Sequence, residues 1–235
     1  MAGAGAEVAL VGRDASRLAA VVGSIRAQGG LAHAIVRDLD DPDAAAAIVA
    51  EALAAAGAVN ILVHAAGRFE LGALATAGVE SLDRQYRTNV RAPYALTHAA
   101  LPHLRGAGVV IFISSIAARL AFVGASAYCA SKGAIGALVP ALAGELAPEG
   151  VRVNAIAPGE IDTPMTAGYY VEDPNYLPAV IAQTPARRVG TPKDIADSAV
   201  FLASDAASFI HGVTLVVDGG LSAIMPDAGS GIPTA

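Results

Sequence analysis

The chain has 235 residues, 54% of them hydrophobic and 15% charged, with a formal net charge of −6. That length suits one α/β domain with a sizeable core, and so apolar a composition excludes disorder along most of it. The acidic balance argues against nucleic acid or an anionic membrane as partner, and the single cysteine, Cys129, excludes a disulfide framework and fits a reducing cytoplasm.

The opening Met1-Ala-Gly-Ala-Gly-Ala-Glu7 lacks the basic start and apolar core of a secretory signal. Apolar runs such as 44–50 and 109–113 are too short to span a bilayer, so a soluble, cytoplasmic protein is expected. Along the chain, short β-branched runs alternate with Ala-rich stretches, the pattern of repeated βαβ units around a parallel sheet. Strands are predicted at 7–11, 32–36, 60–64, 109–114, 152–156 and 214–217. Helices are predicted at 15–28, 42–56, 79–104, 126–146 and 192–204. Asp14 is placed to cap the first helix, which Gly29-Gly30 ends, and Thr191-Pro192 opens the last. Residues 165–188, punctuated by Pro and carrying Tyr169, Tyr170 and Tyr176, are expected to be an irregular lid or insertion. One domain over 1–225 is expected, followed by a flexible tail at 226–235.

The chemistry concentrates in Tyr128-Cys-Ala-Ser-Lys132. Positions i and i+4 share a helix face, so a phenol and an ammonium can enter the same cleft. A nearby cation favours phenolate and draws the Tyr pKa down from about 10, as a general acid near neutral pH requires. Ser114-Ser115 ends the apolar run 109–113, and ligands gather beyond the carboxyl ends of strands in open parallel sheets. Taken alone, Ser115 is equally a turn serine and Asn89 a solvated helix residue.

In combination, Asn89, Ser115, Tyr128 and Lys132, with Tyr128 thirteen residues after Ser115, resemble the Asn-Ser-Tyr-Lys tetrad of short-chain dehydrogenases/reductases. Asn154-Ala-Ile-Ala-Pro-Gly159 and the block from Arg188-Val-Gly-Thr-Pro-Lys-Asp-Ile-Ala196 through Phe201-Leu-Ala-Ser-Asp205 to Val217-Asp-Gly-Gly220 are also similar to that family's segments. The resemblance implies a Rossmann-like, doubly wound αβα fold. It also implies an NAD(P)-dependent oxidoreductase, akin to the 3-oxoacyl-carrier-protein reductase branch, that interconverts a secondary alcohol and a ketone by hydride transfer. Tyr128 would be general acid/base, and Ser115 would hold the substrate oxygen. Lys132 would depress the Tyr pKa and bind the nicotinamide ribose, and Asn89 would bend its helix and hold a water that relays protons to Lys132. Pro158, Gly159, Ile161 and Thr163 would meet the nicotinamide side of the cofactor, Ala65, Ala66 and Gly67 the adenosine side, and Asp38 and Leu39 the adenine, with Asp38 equally placed to cap the helix that opens near Pro42. Arg13, with Gly12 where an acidic residue would favour NAD(H), suits a 2′-phosphate, so NADP(H) is expected and NAD(H) is the alternative. A homo-oligomer, dimer or tetramer, is implied as well.

Two departures stand out. Family members open with a strand, a TGxxxGxG turn and a helix, whereas Gly3-Ala-Gly5 has no preceding strand and no third glycine. The implied fold therefore lacks its first strand and most of its first helix. It leaves a gap between the strands at 7–11 and 60–64, and suggests a truncated product or a mis-called start. The alternative function is then an impaired remnant serving as an oligomerising or binding scaffold. Second, His64-Ala-Ala-Gly67 replaces Asn-Asn-Ala-Gly, losing at Ala65 an Asn that ties adjacent strands. No metal is expected: His98 and His103, five apart, fall on different helix faces.

Overall fold

A computed structural model describes residues 1–224, apart from the side chain of Tyr169; the expected tail at 226–235 lies outside the described residues. In chain order the elements are β1 (Val8–Gly12), α1 (Ala15–Ala27), β2 (Ala32–Val36), α2 (Ala44–Ala56), β3 (Ile61–His64), α3 (Leu74–Tyr86), α4 (Ala92–Leu104), β4 (Val109–Ile113), α5 (Ser126–Leu146), β5 (Arg152–Pro158), α6 (Ala167–Glu172), α7 (Tyr176–Gln183), α8 (Pro192–Ala203) and β6 (Thr214–Val217). Every strand pairing is parallel. Helices cross over between consecutive strands and cover the sheet on both faces, the Rossmann-like α/β architecture.

The caps explain the helix starts. Asp14 accepts the backbone N–H groups of Ser16 and Arg17 at 3.0 Å each. Thr191 and Asp194 form a reciprocal capping box at the head of α8. On β4 the side chains alternate between the two faces. Val110 and Phe112 pack with Leu96 and Ala100 of α4 and Ile135 and Val139 of α5, while Val109 and Ile111 pack with Ala199 and Leu202 of α8. Burying a side chain the size of Phe112 contributes about 1.5–3 kcal/mol, so this doubly covered strand anchors the molecule.

The sheet is interrupted where the motif order implied. β1 pairs only with β2, and β3-β4-β5-β6 form a separate four-stranded sheet. A cavity of about 1840 Å³ opens between the facing strands β1 and β3 and continues to the carboxyl ends of β4 and β5.

Two predictions differ from the observed elements. The single helix expected at 79–104 is three pieces: α3, a π-helical turn over Arg87–Arg91, and α4. Pro93 has no N–H to give to the Asn89 carbonyl, and the Ala92 N–H reaches back five residues to Arg87 instead. Within α3, Gly78 at φ 64°, ψ 174° breaks the helical path. Residues 165–188, expected to be irregular, contain α6 and α7. Pro178 lies in the first turn of α7, where its missing N–H breaks no helical bond.

Candidate active site

Three elements converge at the carboxyl edge of the sheet. β4 stops at Ile113 because Ser114 and Ser115 turn the chain outward. The Ser114 N–H still reaches the Ile156 carbonyl at 2.7 Å, while the Ser115 hydroxyl oxygen accepts the Ala117 N–H at 3.1 Å and starts a short 3-10 turn. α5 crosses this edge and brings Tyr128, Ser131 and Lys132 into it. The Tyr128 phenol lies close enough to the Ser115 hydroxyl for that group to favour its ionised form. The Lys132 ammonium lies 5.7 Å from the centre of the Tyr128 ring and donates to the Ile113 carbonyl at 2.8 Å. Phe69, from the loop after β3, packs edge-on against Tyr128 with centroids 4.7 Å apart.

Burial governs the electrostatics. It raises the Tyr128 pKa above its ordinary 10, with the Ser115 hydroxyl opposing and the charge of Glu160 adding to the rise. It lowers Lys132 from 10.5 to about 8. The expectation that Lys132 draws the Tyr128 pKa down is therefore corrected. In this structure desolvation pushes both groups toward their neutral forms, and the ammonium is directed at a backbone carbonyl.

Asn89 sits in the π-helical turn, almost wholly buried. Its Oδ1 accepts the Arg68 N–H at 2.7 Å, and its Nδ2 donates to the Arg68 carbonyl and to Ser131 Oγ, each at 2.9 Å. Ser131 in turn donates to the Tyr128 carbonyl at 2.8 Å. Asn89 thus clamps the strand-end loop to α5. Gly67, one residue before that clamp, places its Cα where a side chain would meet Asn89 Oδ1 and Lys132 Nζ.

The end of β5 supplies the opposite wall. Asn154 donates to the Ile210 carbonyl and accepts the Val213 N–H, fixing the approach to β6. A Cβ on Gly159 would come within 2.7 Å of Asp218 Cβ, so only glycine fits. Ile161 is buried and bridges to Gly190, and Thr163 lies beside Thr166.

Ser115, Tyr128, Lys132, Leu39, Ala65, Ala66, Gly67, Pro158, Gly159, Ile161 and Thr163 all line the one cavity. Arg13 and Asp38 do not: Arg13 is exposed in the turn after β1, and Asp38 is exposed and holds the Asp40 N–H at 3.0 Å. His98 and His103 are both exposed, and no group of three metal-ligating side chains is present among the described residues. Cys129 is half-buried, its thiol 3.9 Å from the Leu120 carbonyl.

His64 makes a tie of a different kind, from strand to helix. It is buried against Phe112 and hydrogen-bonded to Thr97 Oγ1 at 2.8 Å, linking β3 to α4. The carboxylate of Glu160, which the sequence pattern does not single out, lies in the cavity and is held by Tyr170 and Tyr176. Its signal in the sequence was weak, a lone acidic residue after Pro158-Gly159.

A dinucleotide meets a partial fit here. The Lys132 amine, the Tyr128 phenol and the backbone of Pro158–Gly159 form a polar nook suited to a nicotinamide riboside, and Leu39 offers an apolar wall at the far side. Among the described residues no glycine-rich strand-to-helix turn lines the cavity between those ends.

Comparison with known proteins agrees with this geometry. The family model described as enoyl-(acyl carrier protein) reductase matches residues 1–222. The chain is 40% identical over 197 residues to 2-(R)-hydroxypropyl-CoM dehydrogenase of Xanthobacter autotrophicus, covering 82% of this chain and 77% of the relative. It superposes with a TM-score of 0.89 on a gluconate 5-dehydrogenase of Burkholderia cenocepacia in complex with NADP and tartrate, at 30% identity, covering 95% and 88% of the two chains. It superposes with a TM-score of 0.88 on a 7α-hydroxysteroid dehydrogenase complexed with NADH, at 34% identity, covering 93% and 86%.

Proposed function

The chain belongs to the short-chain dehydrogenase/reductase family, and from that premise we propose that it interconverts a secondary alcohol and a ketone with a nicotinamide dinucleotide, Tyr128 exchanging the proton. The observation that carries this reading is the meeting of Ser115 and Tyr128 on one cavity, with Lys132 one helical turn away.

In the reducing direction the substrate carbonyl oxygen accepts from the Ser115 and Tyr128 hydroxyls. Both donors are fixed before the substrate arrives, so they stabilise the negative charge that develops on the oxygen without reorganising. The Tyr128 proton passes to the forming alkoxide, and the phenolate left behind lies beside the Ser115 hydroxyl, which favours the ionised form. In oxidation the same groups run in reverse. Asn89 holds Arg68 and Ser131 in place, which keeps Gly67 and the start of α5 in register with this centre. A nicotinamide held there would supply the hydride to the carbonyl carbon in reduction and accept it from the carbinol carbon in oxidation.

Lys132, Tyr128 and residues 158–163 would hold the nicotinamide riboside, and Leu39 and residues 65–67 the adenosine. We infer a preference for NADP(H), because β1 ends in Gly12 rather than an acidic residue and Arg13 follows it. No helix among the described residues is long and apolar enough to cross a membrane, and a cytoplasmic location is inferred from the single cysteine. A homo-oligomer is inferred from the apolar exposure at Phe201, Phe209, Val213 and Val216 around α8 and β6.

The test is fluorescence titration of the purified chain with NADPH and NADH, followed by turnover of a panel of secondary alcohols. Saturable NADPH binding at least tenfold tighter than NADH, with alcohol-dependent reduction of the oxidised cofactor, is expected. Absence of binding by either cofactor at millimolar concentration removes catalysis from this chain and leaves the scaffold reading.

A further inference from the structure

Glu160 stands directly after Gly159 and lines the cavity that also holds Ser115 and Tyr128. Tyr170 of α6 donates its phenol proton to Oε1, and Tyr176 of α7 donates to Oε2, both at 3.1 Å. The two rings lie 6.1 Å apart at 30° to one another. Two neighbouring helices therefore grip one carboxylate, a long way in sequence from the Ser-Tyr-Lys centre but in the same cavity.

Two chemical consequences follow from that placement. A carboxylate has about four acceptor positions, and the two phenols fill two of them, so a substrate hydroxyl or ammonium can take another. A substrate anion meets the opposite situation, a like charge in a half-buried site where water screens weakly; burial raises the Glu160 pKa, and the hydrogen bonds from Tyr170 and Tyr176 oppose that rise and favour the carboxylate. The Glu160 charge already acts on the Tyr128 phenol, so it also acts on whatever group flanks a carbinol bound there.

We propose that Glu160 determines substrate choice, admitting neutral diols and polyols and rejecting alcohols that carry a carboxylate close to the carbinol. The proposal rests on the reading that Ser115 and Tyr128 receive the carbinol oxygen. The phenols of Tyr170 and Tyr176 orient the carboxylate, and its charge does the selecting.

Butane-1,3-diol and 3-hydroxybutanoate form the test pair: they share a four-carbon skeleton and a secondary carbinol and differ only in a terminal hydroxymethyl or carboxylate. The wild-type ratio of kcat/KM, diol over acid, is expected to be at least 10. Glu160→Gln should lower that ratio at least tenfold, mainly through faster turnover of the acid. The double variant Tyr170→Phe, Tyr176→Phe keeps the charge and should keep the ratio, whatever it does to the rate. An unchanged ratio in Glu160→Gln overturns the proposal, as does an equal loss in the double variant, which would assign the effect to the lid. Binding of the corresponding ketones, 4-hydroxybutan-2-one and acetoacetate, followed by NMR titration, separates the two levels of the argument. A preference for the neutral ketone that vanishes in Glu160→Gln, without turnover of either alcohol, sustains the proposal while the hydride-transfer reading fails. Equal affinities for the two ketones, or no binding of either, overturn it.

Discussion

Lys132 Nζ donates to the carbonyl of Ile113 at 2.8 Å, which ties α5 to the last residue of β4. Ser115 lies two residues beyond that carbonyl and Tyr128 one helical turn before the amine. A single strand-to-helix hydrogen bond therefore sets the distance between the serine and tyrosine hydroxyls.

Lys132→Met tests what that bond is for. The variant leaves the Ile113 carbonyl without its donor, at about 1–3 kcal/mol, but also removes a buried cation, so the two effects offset. Stability at pH 7 is expected to change by only about 1 kcal/mol, while turnover falls by about 100-fold or more. Alkaline pH distinguishes the two proteins further. The folded pKa of about 8 lies below the ordinary 10.5, so between these values the unfolded chain binds more protons than the folded one. Wild-type stability consequently gains from this group as pH rises from about 8 to about 10.5, and the Met variant lacks that gain. Urea midpoints of both proteins at pH 7, 9 and 10.5 measure it; parallel pH curves would contradict the assignment.

Tyr128→Phe removes the phenolic oxygen and keeps the ring that packs against Phe69. Turnover should drop by about 100-fold or more, with NADPH affinity within about threefold of wild type, since the ribose keeps Lys132. Stopped-flow hydride transfer and fluorescence titration read the two quantities separately. Retained turnover would take Tyr128 out of its role.

Glu70 is the best-partnered carboxylate near the site. Its oxygens accept from Arg84 at 2.8 and 3.1 Å, from Ser81 at 2.9 Å and from Arg68 at 3.1 Å. Arg84 foremost lowers its pKa from 4.5 to about 2. The folded pKa is depressed, so the stability it contributes is complete above about 4.5 and is lost as pH falls toward about 2. Wild type should melt a few degrees above Glu70→Gln at pH 6, with the gap closing through that acid window. Calorimetric melts at half-unit pH steps check it, and a gap that persists at pH 2.5 would show that the ion pairs are not its source.

What the sequence made legible was local and covalent. The i, i+4 phenol and amine, the serine at a strand end and the glycine-bracketed helices all have short-range signatures, and β2, α5 and β6 fall at their expected bounds. The break in the helix expected at 79–104 was also written locally, in Pro93, but its reading required knowing that Ala92 reaches back to Arg87. Contacts between distant segments were hidden. Nothing near Glu160 announces Tyr170 and Tyr176 as its donors, and nothing near His64 announces Thr97, because those partners are chosen by packing of α6, α7 and α4 rather than by spacing along the chain. The electrostatic misjudgement at Tyr128 has the same origin. Sequence shows which charges are near in the chain and not how much water burial removes.

His64 offers a prediction in a different pH range. Thr97 gives its own proton to the Pro93 carbonyl at 2.8 Å, so its oxygen accepts from His64, which must carry hydrogen on Nε2. Burial lowers the His64 pKa from 6.5 to about 3, and the ring stays neutral where an unfolded histidine charges. The unfolded chain binds the extra proton between those values, so this residue makes the fold less stable as pH falls below about 6.5. Replacing the partner, Thr97→Val, leaves a buried N–H unpaired and should cost about 1–3 kcal/mol. Replacing the titrating group, His64→Leu, should flatten the loss of stability between pH 7 and pH 5 while leaving the Glu70 window below 4.5 as it was. Urea denaturation of both variants across pH 7 to 5 measures the effect, with the imidazole nitrogen shifts of wild type at pH 5 as an independent check. A His64 signal that titrates near 6.5 would mean that the ring meets water and that β3 is tied to α4 by something other than this bond.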